Sequence, residues 1–157
     1  MQIITGEDTK VLRTKAEKVT VFDQALEQTV DAMIETMLSP QQGNVTGIGL
    51  AANQVGLLER IMIMTFNVNT KKEHKVVAMI NPEILWQSEE TVVYEEGCLS
   101  LPETFGKVRR ASKIQVSWQN TEGHRCEKKL SGWDARVFLH EYDHLDGILF
   151  IDYLQKT

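Results

Sequence analysis

The amino-acid sequence predicts an α+β fold in which antiparallel sheets pack around a central metal-binding helix. Three observations point there. Short apolar stretches with strand-like alternation recur between positions 60 and 130, separated by polar, turn-forming clusters. Only two stretches carry helical spacing, one near each end of the chain. No internal repeat, low-complexity segment or linker interrupts the 157 residues, so one domain spanning 1–157 is expected.

Residues 1–20 read as an irregular arm. Asp23 then offers an N-cap for a long helix. Its Leu26, Val30, Met33, Ile34, Met37 and Leu38 follow helical spacing and form one apolar stripe, ended by Pro40 and Gly43. Met33 and Met37 read as core filling rather than ligands. Strands are expected over 60–66, 76–80, 83–86 and 91–94, with Pro82 and the polar stretch 87–90 as punctuation and 67–75 as an exposed hairpin tip. Positions 113–118 alternate at Ile114, Val116 and Trp118, turn through 120–123 and return over 125–130. A second helix follows. Ser131 is its expected N-cap, with Asp134 completing a capping-box-like pattern, and Gly147 is its stop. A last short strand is expected over 148–151.

Composition narrows the function. Hydrophobic residues make up 42% and charged residues 25%, ordinary for a globular protein. A net charge of −5 argues against a phosphate-binding surface, so no direct nucleic-acid readout is expected. No apolar run approaches the roughly 20 residues that span a bilayer. The first residues lack the cationic start and long apolar core of a signal peptide. The expectation is a cytoplasmic protein with no membrane association. Cys98 and Cys126 are expected to be free thiols, since a chain of this size does not need a disulfide.

The chemistry is concentrated in His140-Glu141-Tyr142-Asp143-His144. Histidines four residues apart lie on one face of a helix, one turn apart, and two neutral imidazoles so placed can grip one metal ion. Glu141 stands beside them to handle protons. The bland alternative is a pair of hydrogen-bonded core histidines. His74 and His124 lie in polar contexts and read as surface residues. Zinc peptidases with this motif usually take a third ligand from downstream, yet no His or Glu follows His144. Asp146 is too close to point the same way, and Asp152 is a weak alternative. The third ligand is therefore sought upstream, in Glu95-Glu96-Gly97-Cys98-Leu99-Ser100-Leu101-Pro102. An isolated cysteine is more often an inert buried thiol, but the missing downstream ligand favours Cys98, which leaves one position open for water. The stretch 47–56 matches neither a phosphate loop nor a dinucleotide fingerprint. It reads as a turn packed on the core, or as backbone able to approach a peptide, with Gln54 offering an amide donor.

Taken in order, Gly47-Ile48-Gly49-Leu50-Ala51-Ala52-Asn53-Gln54, Glu96-Gly97-Cys98-Leu99-Ser100 and His140-Glu141-Tyr142-Asp143-His144-Leu145 make the chain resemble the peptide deformylases. The similarity extends over nearly all of it. The resemblance implies a hydrolase that removes the N-formyl group from the N-terminal methionine of nascent polypeptides. It implies one divalent metal on Cys98, His140 and His144, ferrous iron in the cell and zinc or nickel in purified samples. Glu141 would move the proton, with the Gln54 amide and the Leu99 N–H holding the oxyanion. Glu96 would orient a histidine ligand, with Arg110 neutralising it. Ile48, Gly49, Gly97, Trp133 and Val137 would line the substrate cleft, with main-chain groups of Ile48 and Gly97 pairing the substrate as an added strand.

Three features depart from the family pattern. Leu139 stands where glutamine is common, Arg136 where some members carry an aliphatic residue beside the methionine pocket, and the chain ends at Thr157 where bacterial members often continue into a basic helix. Only weak or transient contact with ribosomes is therefore expected. Two other classes compete with the deformylase reading. One is a metallopeptidase cutting internal bonds. The other is a structural metal protein, which would need a fourth good ligand that the sequence does not supply.

Overall fold

The computed structural model describes residues 1–41 and 46–154. The element order is α1 (Gln24–Leu38), β1 (Gly49–Ala51), β2 (Ile61–Phe66), β3 (Lys75–Gln87), β4 (Thr91–Cys98), β5 (Leu101–Ala111), β6 (Lys113–Gln119), β7 (Arg125–Ser131) and α2 (Gly132–Leu145). Short 3-10 turns lie at Lys10–Arg13, Ala52–Val55 and Phe150–Tyr153. Every pairing between strands is antiparallel. Five strands form one sheet in the order β1-β2-β3-β6-β7, and β4 and β5 form a second. The α+β expectation is met.

The sequence Ile61-Met62-Ile63-Met64 explains how the helices sit. All four side chains are fully buried, although strand neighbours point to opposite faces. Met62, Met64 and Phe66 pack with Ala135, Phe138 and Leu139 of α2, while Ile61 and Ile63 pack with Leu26, Val30, Met33 and Met37 of α1. The large sheet is thus covered by a helix on each side, and β2 needs apolar residues at every position. Asp23 caps α1 as expected, accepting from the Leu26 N–H at 3.0 Å. Of the expected stripe, Leu38 is half exposed and Ile34 only partly buried. Gly43 lies outside the described residues.

Several expected elements differ. The two strands at 76–80 and 83–86 are one strand, β3, bent at Asn81, which adopts φ +50. Asn81 is held there by bonds to Val19 N–H, Val19 C=O and Gln119, which compensate for the lost ladder bonds. Strand β4 runs on to Cys98, and Pro102 falls inside β5, which pairs with it; β5 was not expected, because its polar face is open to solvent. The expected strand at 148–151 does not form. Leu149 and Phe150 are buried against Leu101 and Val108, and Asp152 accepts from Leu149 N–H, closing a 3-10 turn. Its apolar run serves packing, not pairing. Ser131 occupies the N-cap of α2 without a side-chain bond, and Asp134 instead accepts from Asn67 N–H. Gly147 does end α2, at φ +76, where a Cβ would lie 2.6 Å from the Arg13 carbonyl.

Candidate active site

Helix α2 packs on the large sheet and also touches β5 of the small one, and it brings His140 and His144 to Cys98 at the end of β4. Cys98 is the last residue of that strand, and its Sγ lies 3.3 Å from His144 Nε2. One ligand atom from each of Cys98, His140 and His144 falls within 4.8 Å of the others. Roughly 3.3–3.6 Å separates ligand atoms on a tetrahedral ion with metal–N near 2.0 Å and metal–S near 2.3 Å. The group fits a single metal ion. Asp152, the weak alternative, instead pairs with Arg13 at 2.6 Å. Cys98 and Cys126 are both free thiols, and His74 and His124 are exposed.

The histidines are prepared as ligands by their surroundings. His140 Nδ1 lies 2.8 Å from Glu96 Oε1. Burial pushes the Glu96 carboxyl up, but hydrogen bonds from His140 and Arg110 outweigh it and hold the group far below the usual carboxylate range. An ionised carboxylate only accepts, so His140 Nδ1 carries a proton. Burial pulls the His140 pKa down, but Cys98, Glu141 and Glu96 outweigh it and favour the charged ring, so Nε2 gives up a proton when it takes a metal. Burial also pushes His144 well below its usual value, which keeps it neutral.

Glu96 is held by more than the expected partner. Arg110 grips it through Nε at 2.6 Å and Nη2 at 3.0 Å. Arg136 Nη1 adds a third bond at 2.6 Å and also reaches Val108 C=O, while its Nη2 reaches Val92 C=O. The departure at Arg136 therefore ties α2 to the small sheet: its charged end bonds Glu96 and backbone, and the residue also lines the cleft. Arg110 further bonds Asp143, which accepts from the Tyr153 hydroxyl at 2.8 Å. Asp143 and Tyr153 were not singled out from sequence. Arg136 was, as a departure beside the methionine pocket; it does line the cleft, and its bonds to Glu96 and backbone were not foreseen. Its position four residues before His140, on the same helix face, was the available signal.

Glu141 differs from Glu96. It is 5% exposed, and its Oε1 has no hydrogen-bond partner among the described residues. Burial is the main cause that raises its pKa from 4.5 to about 7. An unpaired buried carboxylate oxygen costs stability unless a ligand or water meets it, which is the mark of a group reserved for chemistry. Gly49 makes room for it. A Cβ on Gly49 would overlap the Glu141 carboxylate and lie 2.9 Å from its Cδ. Gly49→Ala is expected to push the carboxylate aside and lower kcat on the order of 10²-fold with metal content unchanged. Wild-type kcat in that variant would remove Glu141 from the chemistry.

These groups open on a cleft of about 970 Å³ lined by Ile48, Gly49, Gln54, Gly97, Cys98, Leu99, Trp133, Val137, His140 and Glu141, ten of the eleven residues expected at the site. His144 does not line it and is 1% exposed, and Gln54, Val137 and Glu141 are buried as well. Among the described residues, strand β1 is an edge of the large sheet and β4 pairs only with β5. Ile48 C=O is already taken by Thr65 N–H at 2.9 Å. Trp133 packs edge-on against Tyr94 at 5.4 Å.

Comparison with known proteins agrees with this geometry. The family model described as polypeptide deformylase matches residues 1–157. The peptide deformylase of Thermotoga neapolitana is 46% identical over 147 residues, covering 94% of this chain and 83% of that one. The crystal structure of peptide deformylase from Thermotoga maritima superposes with a TM-score of 0.87 at 45% identity, covering 99% of this chain and 97% of that one. A probable peptide deformylase from Synechococcus phage S-SSM7 gives a TM-score of 0.85 at 40% identity, over 98% of this chain and 99% of that one. Matched along its whole length by the family model, and over 94% and 99% of it by a relative and a solved structure, this chain belongs to the polypeptide deformylase family.

Proposed function

We propose that the cleft containing Cys98, His140, His144 and Glu141 is where this chain hydrolyses the formyl group of N-formyl-methionyl peptides. Removal of the N-formyl group from nascent polypeptides is the activity of the family, and of this chain as a member. One observation carries the assignment of residues. A buried carboxylate with an unpaired oxygen, Glu141, stands beside three convergent metal donors at the foot of an open cleft. A peptide with formyl-methionine at its end is expected to release formate, measured with a formate-dependent dehydrogenase. Cleavage of internal bonds without formate would point to the peptidase reading instead.

A divalent ion on Cys98, His140 and His144 would supply Lewis acidity to the attacking water and to the formyl carbonyl. The chain's own groups do the rest. Glu141 takes a proton from the water as its oxygen bonds to the formyl carbon. The Gln54 amide and the Leu99 N–H donate to the carbonyl oxygen as it gains charge. Glu141 then returns the proton to the amine nitrogen as the carbon–nitrogen bond breaks, giving formate and a free N-terminus. The substrate enters as an added strand along the β1 edge, paired by main-chain groups of Ile48 and Gly97. Val137 and Trp133 supply apolar wall for the methionine.

The metal assigned here is ferrous iron in the cell, with zinc or nickel in purified samples. A Cys98 thiolate on iron is open to oxidation, whereas zinc and nickel do not pass through the same cycle. The iron form is expected to lose activity in air faster than the nickel form. Equal decay under matched conditions without reductant would count against Cys98 as a ligand. Among the described residues no helix is long and apolar enough to cross a membrane. A cytoplasmic location is proposed because the family acts on nascent polypeptides. Weak ribosome contact is proposed from the net charge of −5. Its tail argument rests partly on 155–157, which lie outside the described residues. Salt-sensitive co-sedimentation with ribosomes as strong as that of a long-tailed relative would refute it.

A further inference from the structure

We propose that Ser100 is a positioning residue that aims the Gln54 side-chain amide at the reacting carbonyl oxygen. The proposal rests on the reading of the site given above. Gln54 is 2% exposed, on the 3-10 turn Ala52–Val55. Its Oε1 accepts from Ala51 N–H at 3.0 Å. A donor at that end demands the oxygen, so the NH₂ end faces the other way. There Nε2 donates to Ser100 Oγ at 3.1 Å and lies 3.5 Å from Cys98 Sγ. The two short bonds sit at opposite ends of one planar amide, so together they fix both its rotation and its sense. With one N–H held by Ser100, the other donates to Cys98 Sγ beside the metal donors, from where it would pass to the carbonyl oxygen of a bound substrate.

Burial makes the hydroxyl hard to replace. Ser100 is 0% exposed, which leaves little room for water to substitute as acceptor. The backbone frame is tied as well. Ile4 N–H donates to Gln54 C=O at 2.7 Å and Gly6 N–H to Ser100 C=O at 3.0 Å, so the N-terminal arm joins the two segments that the side chains bridge. A donor stabilises an oxyanion most when it is in place before the charge develops. Removing the hydroxyl leaves Gln54 present but free to turn.

The test is a cycle on the nickel-loaded chain with a formyl-methionyl tripeptide, comparing wild type, Ser100→Ala, Gln54→Ala and the double variant. Losing one neutral hydrogen bond should lower kcat about 3- to 10-fold, with KM unchanged. In the Gln54→Ala background the same substitution should cause no further loss, because Ser100 acts through Gln54. A second readout needs no turnover. In nitrogen-15 spectra of the zinc-loaded wild type, the Gln54 side-chain protons should be resolved and exchange slowly with solvent. Equal losses in the two backgrounds, no loss in the wild-type background, or Gln54 protons exchanging as fast as those of an exposed glutamine would each overturn the proposal. The last holds even if Ser100→Ala fails to fold. A wild type that releases no formate overturns the reading of the site, whereas formate release with additive losses overturns the role of Ser100 alone.

Discussion

Replacing Glu141 with glutamine is expected to abolish turnover while leaving the metal in place. Glu141 is the one carboxylate beside the donor cluster with an unpaired oxygen among the described residues; Glu96 is fully engaged with His140, Arg110 and Arg136. Loss of a general base costs on the order of 10²–10⁴ in rate. The same variant should be more stable than wild type when both are stripped of metal. The Glu141 carboxyl titrates at 4.5 when unfolded and at about 7 when folded, so the folded state holds its proton more tightly. Below pH 4.5 both states are protonated and there is no penalty. As pH rises through about 7 the penalty for a buried charge grows to its full size, on the order of 3 kcal/mol. The stabilisation in Glu141→Gln should therefore appear in urea unfolding at pH 8 and fade below pH 4.5. Wild-type kcat in this variant would remove Glu141 from the mechanism, and a gain that grows in acid would reverse the assignment of its charge.

The second large effect is expected at Arg110. Its guanidinium is 6% exposed and joins Glu96 and Asp143, both of which it would leave in the interior if removed. Breaking a buried pair from one side costs about 3–5 kcal/mol. Arg136 still reaches Glu96 in that variant, so the lower part of the range is expected for Arg110→Ala. Glu96 has its pKa depressed in the fold, so its contribution is fully present above the unfolded value of 4.5 and is lost as pH falls through the folded value. Arg110→Ala should thus lose most stability near neutral pH, and the gap from wild type should narrow in acid. With Glu96 less firmly held, His140 is less firmly aimed, and metal affinity should fall about 10- to 100-fold. Urea unfolding and a chelator competition measure the two effects. Unchanged stability at pH 7 would mean that Glu96 is not ionised in the wild type.

The parts of this site that sequence revealed were those whose chemistry depends on local spacing. His140 and His144 must lie one helical turn apart to share an ion, and Glu141 must sit between them. Cys98 was favoured because no His or Glu follows His144 and Asp152 was only a weak alternative. What stayed hidden depended on contacts between distant segments. The pairing of Arg136 with Glu96 joins positions 40 apart in sequence, a separation over which local spacing carries no signal. Tyr153 reaches Asp143 only because residues 150–153 form a 3-10 turn where a strand was expected. Strand β5 was missed for the opposite reason. It is a partner of β4 in a two-stranded sheet, so Glu103, Thr104, Phe105 and Lys107 stay exposed and give no buried alternation to read. Asn81 belongs to the same class, a bend inside one strand that Pro82 made look like a break between two.

The most direct test of the metal-centred account is a titration of metal-free protein with nickel, following formate release from a formyl-methionyl tripeptide at each step. Three donors converging on one point predict that activity rises linearly and stops at one ion per chain. The same titration of Cys98→Ala should show no comparable rise. Formate release that is complete without added metal, or a plateau at a different stoichiometry, or full activity in Cys98→Ala would contradict the assignment of Cys98, His140 and His144 as the ligands.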